Sequence, residues 1–235
     1  MHGSGFYAMW NNIDPGMAPG FDLMHARHHM LDHLAYLGED AILSARRHTD
    51  GYGTLPRYFT FYDMSRLSVL TDDAHRHCKV TQSDWFQQYR PFYRDHIRHH
   101  CNLRGRSGGG GGGSVATLVF QLRDTDAMDE LFAELTSRSP FTAAHWGVAD
   151  PTLPTMVGGE PPPGAPAEEP CAVIILESYD RHVLAEALPA LVGELTKRGC
   201  AGGPVRWAHY ALSIAVEHKE LGALLRLKAD PSVTC

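Results

Sequence analysis

Residues 108–113 read GGGGGG, set between 93–103 (YRDHIRHHCNL), which alternates as a strand does, and 115–122 (VATLVFQL), which is strongly strand-like. Six consecutive glycines have no side chains to pack and read as a flexible linker. They split the chain into two halves, and the same order of elements can be read on each side.

Upstream, residues 5–12 (GFYAMWNN) alternate as a strand, and Asp14-Pro15-Gly16 breaks it. Residues 21–38 (FDLMHARHHMLDHLAYLG) follow as a helix closed by Gly38. Residues 41–48 and 57–63 read as strands joined by the turn Asp50-Gly51-Tyr52-Gly53. Residues 65–78 carry a helical pattern, and a short helix starts at Ser83 as N-cap and ends near Pro91. The strand 93–103 completes the half.

Downstream, strand 115–122 is followed by an amphipathic helix at 126–137, with Met128, Leu131, Phe132 and Leu135 on one side. A strand at 141–149 and a long Pro- and Gly-rich loop at 151–170 come next. A buried-type strand at 171–179, a helix at 181–198 kinked at Pro189, and a strand at 205–216 complete it.

Two βαββαβ units predict an α+β chain of duplicated ferredoxin-like repeats. Residues 1–106 form the first repeat, 107–114 the linker, 115–220 the second repeat and 221–235 a tail. Each repeat leaves one sheet face bare, so the two sheets are expected to cover each other as a barrel-like pair that encloses ligand space.

Composition narrows the functional classes. At 235 residues the chain is long enough for a sizeable core, and its 43% hydrophobic and 20% charged content is that of an ordinary globular protein. A net charge of −6 gives no footprint for nucleic acid. No apolar run nears the roughly 20 residues that span a bilayer, and the N-terminus lacks a basic start followed by an apolar segment. Five cysteines without CxxC spacing fit reduced thiols in a cytoplasm.

Within residues 21–38, His25, His29 and His33 recur every fourth residue, and His28 and Asp32 form a neighbouring stripe. Residues four apart on a helix lie about 5–6 Å apart at Cβ, so two or three imidazoles address one small volume. Leu23, Ala26, Met30, Leu34 and Leu37 supply an apolar stripe for docking on a sheet. The stripe of histidines is also what a solvated polar face looks like.

Residues 10–101 carry a resemblance. Trp10, Asn11, Asp14 and Pro15 match W-N-x-x-D-P, and His25 and His29 fall on the two histidines of a W-H-x-x-E-H-x-x-E-R helix. Ala45-Arg46-Arg47 ends a G-x-x-x-A-R-R segment. Pro56, Arg57, Tyr58, Thr60 and Tyr62 match P-R-Y-x-T-x-Y, Thr81 and Trp85 match T-x-x-x-W, and Arg98 and Cys101 match R-x-x-C. These motifs resemble the EthD-like branch of the dimeric α+β barrel superfamily, and the second half resembles its other repeat more loosely. Two departures stand out: His28 replaces a glutamate, and Asp32-His33 replace Glu-Arg, so a carboxylate would have to come from Asp32 or Asp22.

The resemblance implies a small carbonyl or phenolic substrate, polyketide-like or aromatic-catabolic, held between sheet and helices. Relatives include muconolactone isomerases, polyketide cyclases and cofactor-free monooxygenases. The expectation is a cofactor-independent isomerase, cyclase or lyase, cytoplasmic and able to form a homodimer. His29 would be the general base, assisted by His25, with Tyr58 and Asn11 holding the reacting oxygen. Trp10, Arg46, Tyr62 and Trp85 would bind substrate. The alternatives are a divalent transition metal on His25 and His29, whose spacing suits helical ligands, a haem on His145 or His182 by distant analogy, and a non-catalytic small-molecule-binding barrel.

Overall fold

Strands β1 (Gly5–Ile13), β2 (Ile42–Gly53), β3 (Tyr58–Met64), β4 (Tyr93–Gly108), β5 (Ser114–Gln121), β6 (Ala143–Ala149), β7 (Cys171–Ser178) and β8 (Arg206–Glu217) pair in one closed ring. Its order is β1-β3-β2-β8-β5-β7-β6-β4, and every pairing is antiparallel. The computed structural model describes residues 3–38, 40–71, 84–109, 111–137, 141–153 and 170–222. Each half contributes four neighbouring strands, β4-β1-β3-β2 and β8-β5-β7-β6. The halves meet edge to edge where β2 pairs β8 and β4 pairs β6. Closure leaves no unpaired sheet edge in the ring.

Strand period decides which residues line the barrel. Along β5, Val115 and Val119 point inward while Ala116, Leu118 and Phe120 point outward beneath helices, which is why this strand is apolar on both faces. Phe6, Trp10, Phe59, Phe61, Val173, Ile175 and Tyr210 fill the interior as one buried cluster. Trp10 Nε1 donates to Thr117 Oγ1 at 3.1 Å across it.

Outside the second half, α4 (Thr125–Ser137) and α5 (Arg181–Lys197) bury Met128, Leu131, Phe132, Leu184, Leu188, Leu191 and Leu195 against Trp146 and the sheet. Burying a side chain of this size is worth about 1.5–3 kcal/mol. The Asp180 side chain caps α5 by accepting from His182 N at 2.8 Å. The helix runs on through Pro189, which sits on its exposed side.

Outside the first half, α1 (Ala18–Met24), a π-helical turn (His25–His29) and α2 (Met30–Leu37) form one continuous helix. It ends at Gly38, whose φ of +76° suits glycine. In the π turn Met30 N–H bonds back to His25 O, five residues away, so the helix face rotates there. The expected apolar stripe is displaced as a result. Leu23 is 39% exposed, while Phe21, Met24, His25, His29, Met30 and Leu34 are buried. The histidines lie on the buried side of the helix.

A short helix α3 (Asp84–Tyr89) packs over this face. Of the helix expected at 65–78, a 3-10 turn at Leu67–Thr71 is present. Its residues 72–78, with Thr81, Ser83 and residues 154–169 of the long loop, lie outside the described residues. Strand β4 runs into the glycine run as far as Gly108. Gly108 has φ +73°, and a Cβ there would collide with the Thr142 carbonyl oxygen; one at Gly112 would meet the Ser178 backbone. Among the described residues no helix is long and apolar enough to cross a membrane.

Candidate active site

The face of the first half-sheet that lies under α1, the π turn and α2 gathers most of the polar groups singled out in the sequence. Alternation along β1 sends Asn11 to this side and Trp10 to the barrel interior. Along β2 it sends Arg47 to the helices and Arg46 inward. Along β3, Tyr58 and Tyr62 take the helix side.

Arg47 is the centre. Only 1% of its side chain is exposed, and it lies 4.5 Å from the Tyr58 ring and 4.7 Å from the Phe21 ring. Its Nη2 donates to Asp22 Oδ1 at 3.1 Å, and Tyr58 OH donates to Asp22 Oδ2 at 3.5 Å. Asp22 thus supplies a carboxylate at this site. Burial lowers the Arg47 pKa, Asp22 opposes the shift, and the group stays cationic. Its Nε is buried without a partner.

His25 and His29 are buried beside it, with ring centroids 4.8 Å apart. His25 Nδ1 lies 3.1 Å from Phe21 O. A carbonyl only accepts, so Nδ1 carries the proton and Nε2 is left as the acceptor, 3.4 Å from Tyr93 OH. Burial pushes the pKa of both histidines well below 6.5. Arg47, then His29, adds to this at His25; His33, then Arg47, adds to it at His29. Both rings are therefore neutral near pH 7. Phe86 stacks flat on His29 at 4.3 Å and 6°. Burial also raises the pKa of Tyr93 and Tyr58, keeping both hydroxyls protonated.

Asn11 is fully buried opposite Tyr58 in the β1–β3 register. Its Nδ2 donates to Asn12 O at 3.0 Å, and its Oδ1 has no partner. Buried polar atoms are normally paired, so an unmet acceptor and an unmet Arg47 donor on one sheet face suit a ligand bearing both an O–H and a negative oxygen.

Of the residues expected to bind substrate, Tyr62 is here, stacked on Tyr7 at 5.6 Å. Trp85 lies beside this cluster, its ring 4.8 Å from that of His28. Trp10 and Arg46 lie on the other side of the sheet. Trp10 is barrel core, and Arg46 pairs inside the barrel with Glu177, Nη1 to Oε1 2.6 Å. Sequence reasoning missed Phe86, Tyr93 and the role of Arg47, which only the parity of β2 separates from Arg46.

The alternative ligand sets fit less well. Among the described residues no group of three or more His, Cys, Asp or Glu is placed to hold a metal ion. His25 already commits both ring nitrogens to protein partners. His145 lies within the barrel, 3.3 Å from Glu177 Oε1, and His182 is exposed at the start of α5.

No family model and no curated protein matches the sequence. Solved structures match the fold. An anthrone oxidase-like protein aligns with a TM-score of 0.60 at 12% identity, covering 92% of this chain and 94% of that one. A putative monooxygenase from Lactobacillus acidophilus NCFM aligns at 0.53 and 7%, covering 91% and 96%. Another, from Fusobacterium nucleatum subsp. nucleatum ATCC 25586, aligns at 0.53 and 7%, covering 92% and 96%. At such identity the likeness is one of fold: the chain has the architecture of the dimeric α+β barrel proteins, with both halves of the ring supplied by one polypeptide.

Proposed function

We propose that this protein is a cofactor-independent acid/base enzyme of the EthD-like type, built from duplicated ferredoxin-like repeats. Its substrate is a small phenolic or carbonyl compound, polyketide-like or aromatic-catabolic, and its chemistry is isomerisation, cyclisation or a lyase step. The observation that carries this reading is the placing of two buried, neutral imidazoles beside a buried guanidinium between helix and sheet.

His29 in its neutral form removes a proton from carbon alpha to a carbonyl, or from a phenol. The oxygen that becomes negative faces Arg47, whose unmet Nε donor and fixed charge stabilise it in a water-poor site. Asn11 Oδ1 accepts from a substrate hydroxyl, and Tyr58 helps fix the ring. A base with a depressed pKa stays unprotonated at low pH but is weak, so the Arg47 contribution to oxyanion stability is needed. The acidic limb of the rate profile therefore falls below pH 6.5, at the lowered histidine pKa.

The test is turnover of a panel of acidic phenols and β-dicarbonyl compounds, followed by absorbance. His29→Ala should fold and lose about 10²–10⁴-fold in rate, and Arg47→Met should lose rate and move the acidic limb upward, because a charge that lowers the His29 pKa is removed. Full activity in a folded His29→Ala protein removes the mechanism.

The similar structures described as anthrone oxidase-like and putative monooxygenase favour a second reading that starts from the same deprotonation. There the carbanion reacts with dioxygen, a ring CH2 becomes C=O, and one water is released. Stoichiometric oxygen uptake by the wild-type protein selects this reading over the first.

A further inference from the structure

We propose that Asp22 is the specificity-determining residue of this site: by neutralising Arg47, it makes the site take its substrate as an uncharged acid and turn away the ready-formed anion. The inference rests on the roles given to His29 and Arg47 above. It narrows the substrate class to neutral phenols and carbonyl compounds that lose their proton only after binding.

Arg47 is held on several sides. The Phe21 and Tyr58 rings lie 4.7 and 4.5 Å from its guanidinium carbon. Its Nη1 donates to Thr60 Oγ1 at 3.5 Å and its Nη2 to Asp22 Oδ1 at 3.1 Å, while Nε is unmet. A fixed guanidinium without a counter-charge binds any oxyanion, including phenolates and carboxylates already ionised in water. Binding of that kind holds ground state and transition state alike and adds nothing to turnover.

Asp22 changes the balance. It stands on α1 three residues before His25, and its second oxygen accepts from Tyr58 OH at 3.5 Å. Its side chain is 40% exposed against 1% for Arg47, so water screens one side of the carboxylate while the other meets the guanidinium. Together the pair carries no net charge. Among the described residues, the other charged group here is Arg57, just ahead of β3, 5.5 Å from the Tyr58 ring. It is 54% exposed and paired with Asp50 at 3.3 Å. The titratable neighbours from the helix and from β4, His25, His29 and Tyr93, are neutral near pH 7.

Tyr58 is a phenol already resident at this pair. Its hydroxyl touches Asp22 and its ring lies against Arg47. Burial first, and then Asp22, raises its pKa against the opposing pull of Arg57 and Arg47. The resident phenol therefore keeps its proton beside a buried arginine. A substrate phenol in this place meets the same opposed charges and keeps its proton until His29 removes it.

The test reads a bound phenol directly and needs no turnover. 4-Nitrophenol absorbs at different wavelengths as phenol and as phenolate, so a pH titration of the protein-bound probe gives its bound pKa. In the wild-type protein the bound probe should hold its proton at least as firmly as the free probe. Asp22→Asn and Asp22→Ser remove the charge. In both the bound pKa should fall by about one unit, the low end of the 1–3 units a neighbouring charge exerts, because Asp22 is partly exposed. Phenolate binding then gains about tenfold over phenol binding. Asp22→Glu should return the bound pKa to near the wild-type value. A structural role would give the reverse pattern, sparing the isosteric Asn and disturbing the longer Glu. An unchanged bound pKa in either folded neutral variant, or a wild-type bound pKa well below that of the free probe, overturns the proposal. Failure of the probe to bind the wild-type protein would remove the phenolic substrate class, and this inference with it. An active His29→Ala protein would instead remove the acid/base reading and leave the comparison of bound pKa values standing.

Discussion

Lowering the pH from 7.5 to 5 should destabilise this protein through its buried neutral imidazoles, and His48 allows the size to be worked out. Its ring stacks on Phe59 at 5.4 Å and is 2% exposed. Burial holds its pKa down to about 3, with Arg46 and Arg47 adding to the effect and Glu177 and a Phe59 backbone bond opposing it. The unfolded ring titrates near 6.5. Below that pH the unfolded chain binds a proton that the folded chain refuses. Stability is thus fully present above about pH 6.5 and is lost as pH falls toward 3. At pH 5 the gap is about 1.5 pH units, or about 2 kcal/mol from this one ring. Urea unfolding at both pH values in wild type and His48→Phe gives the number. His25, His29, His96 and His99 add to the wild-type loss, and the difference between the two proteins isolates His48. Glu177, whose folded pKa is likewise depressed, to about 2, acts in the same direction but only below its unfolded value near 4.5. An identical pH dependence in the two proteins would refute the reasoning, because it would mean that the ring is protonated within the fold.

Gly112→Ala should cost about 1–3 kcal/mol, since its Cβ meets backbone atoms of Ser178 that cannot yield; at roughly 2–4 °C per kcal/mol, a melting scan reads this directly. Gly109→Ala, with nothing within 4 Å, is the control and should be nearly neutral. Trp10→Phe should cost about 2 kcal/mol through the lost bond to Thr117 and the space left in the barrel. It should leave turnover per folded molecule intact, because the indole lies on the far side of the sheet from His29; a tenfold fall in rate would contradict that placement.

The α+β class and the barrel were legible because the strands announce themselves by alternation or, at β5 and β7, by a short apolar run, and many turns by Gly, Pro or Asp. The gathering of His25 and His29 was legible from spacing alone. What spacing cannot tell is parity. Trp10 and Asn11 are neighbours on one strand, as are Arg46 and Arg47 on the next, and one of each pair faces each side of the sheet. Both faces here are buried, one by helices and one by the barrel interior, so hydrophobicity gives no hint which is which. The π turn is equally silent, since no residue pattern marks one extra residue in a helix. His25 and His29, at its two ends, are both buried. Phe86 and Tyr93 reach the site only through the tertiary fold.

The joint between β2 and β8 has a consequence for how the chain is made. Ala45 pairs with Val216, the two being 171 residues apart. At a synthesis rate of about 5–20 residues per second, β2 waits roughly 10–30 s on the ribosome before its partner exists. Contacts of such long range also slow folding after release. During that wait β2 is an open edge, and it carries Arg46, Arg47 and His48 in succession. Cationic residues on an unpaired edge discourage pairing with the wrong strand. The same arginines that organise the finished molecule on both faces of the sheet would then guard the nascent one.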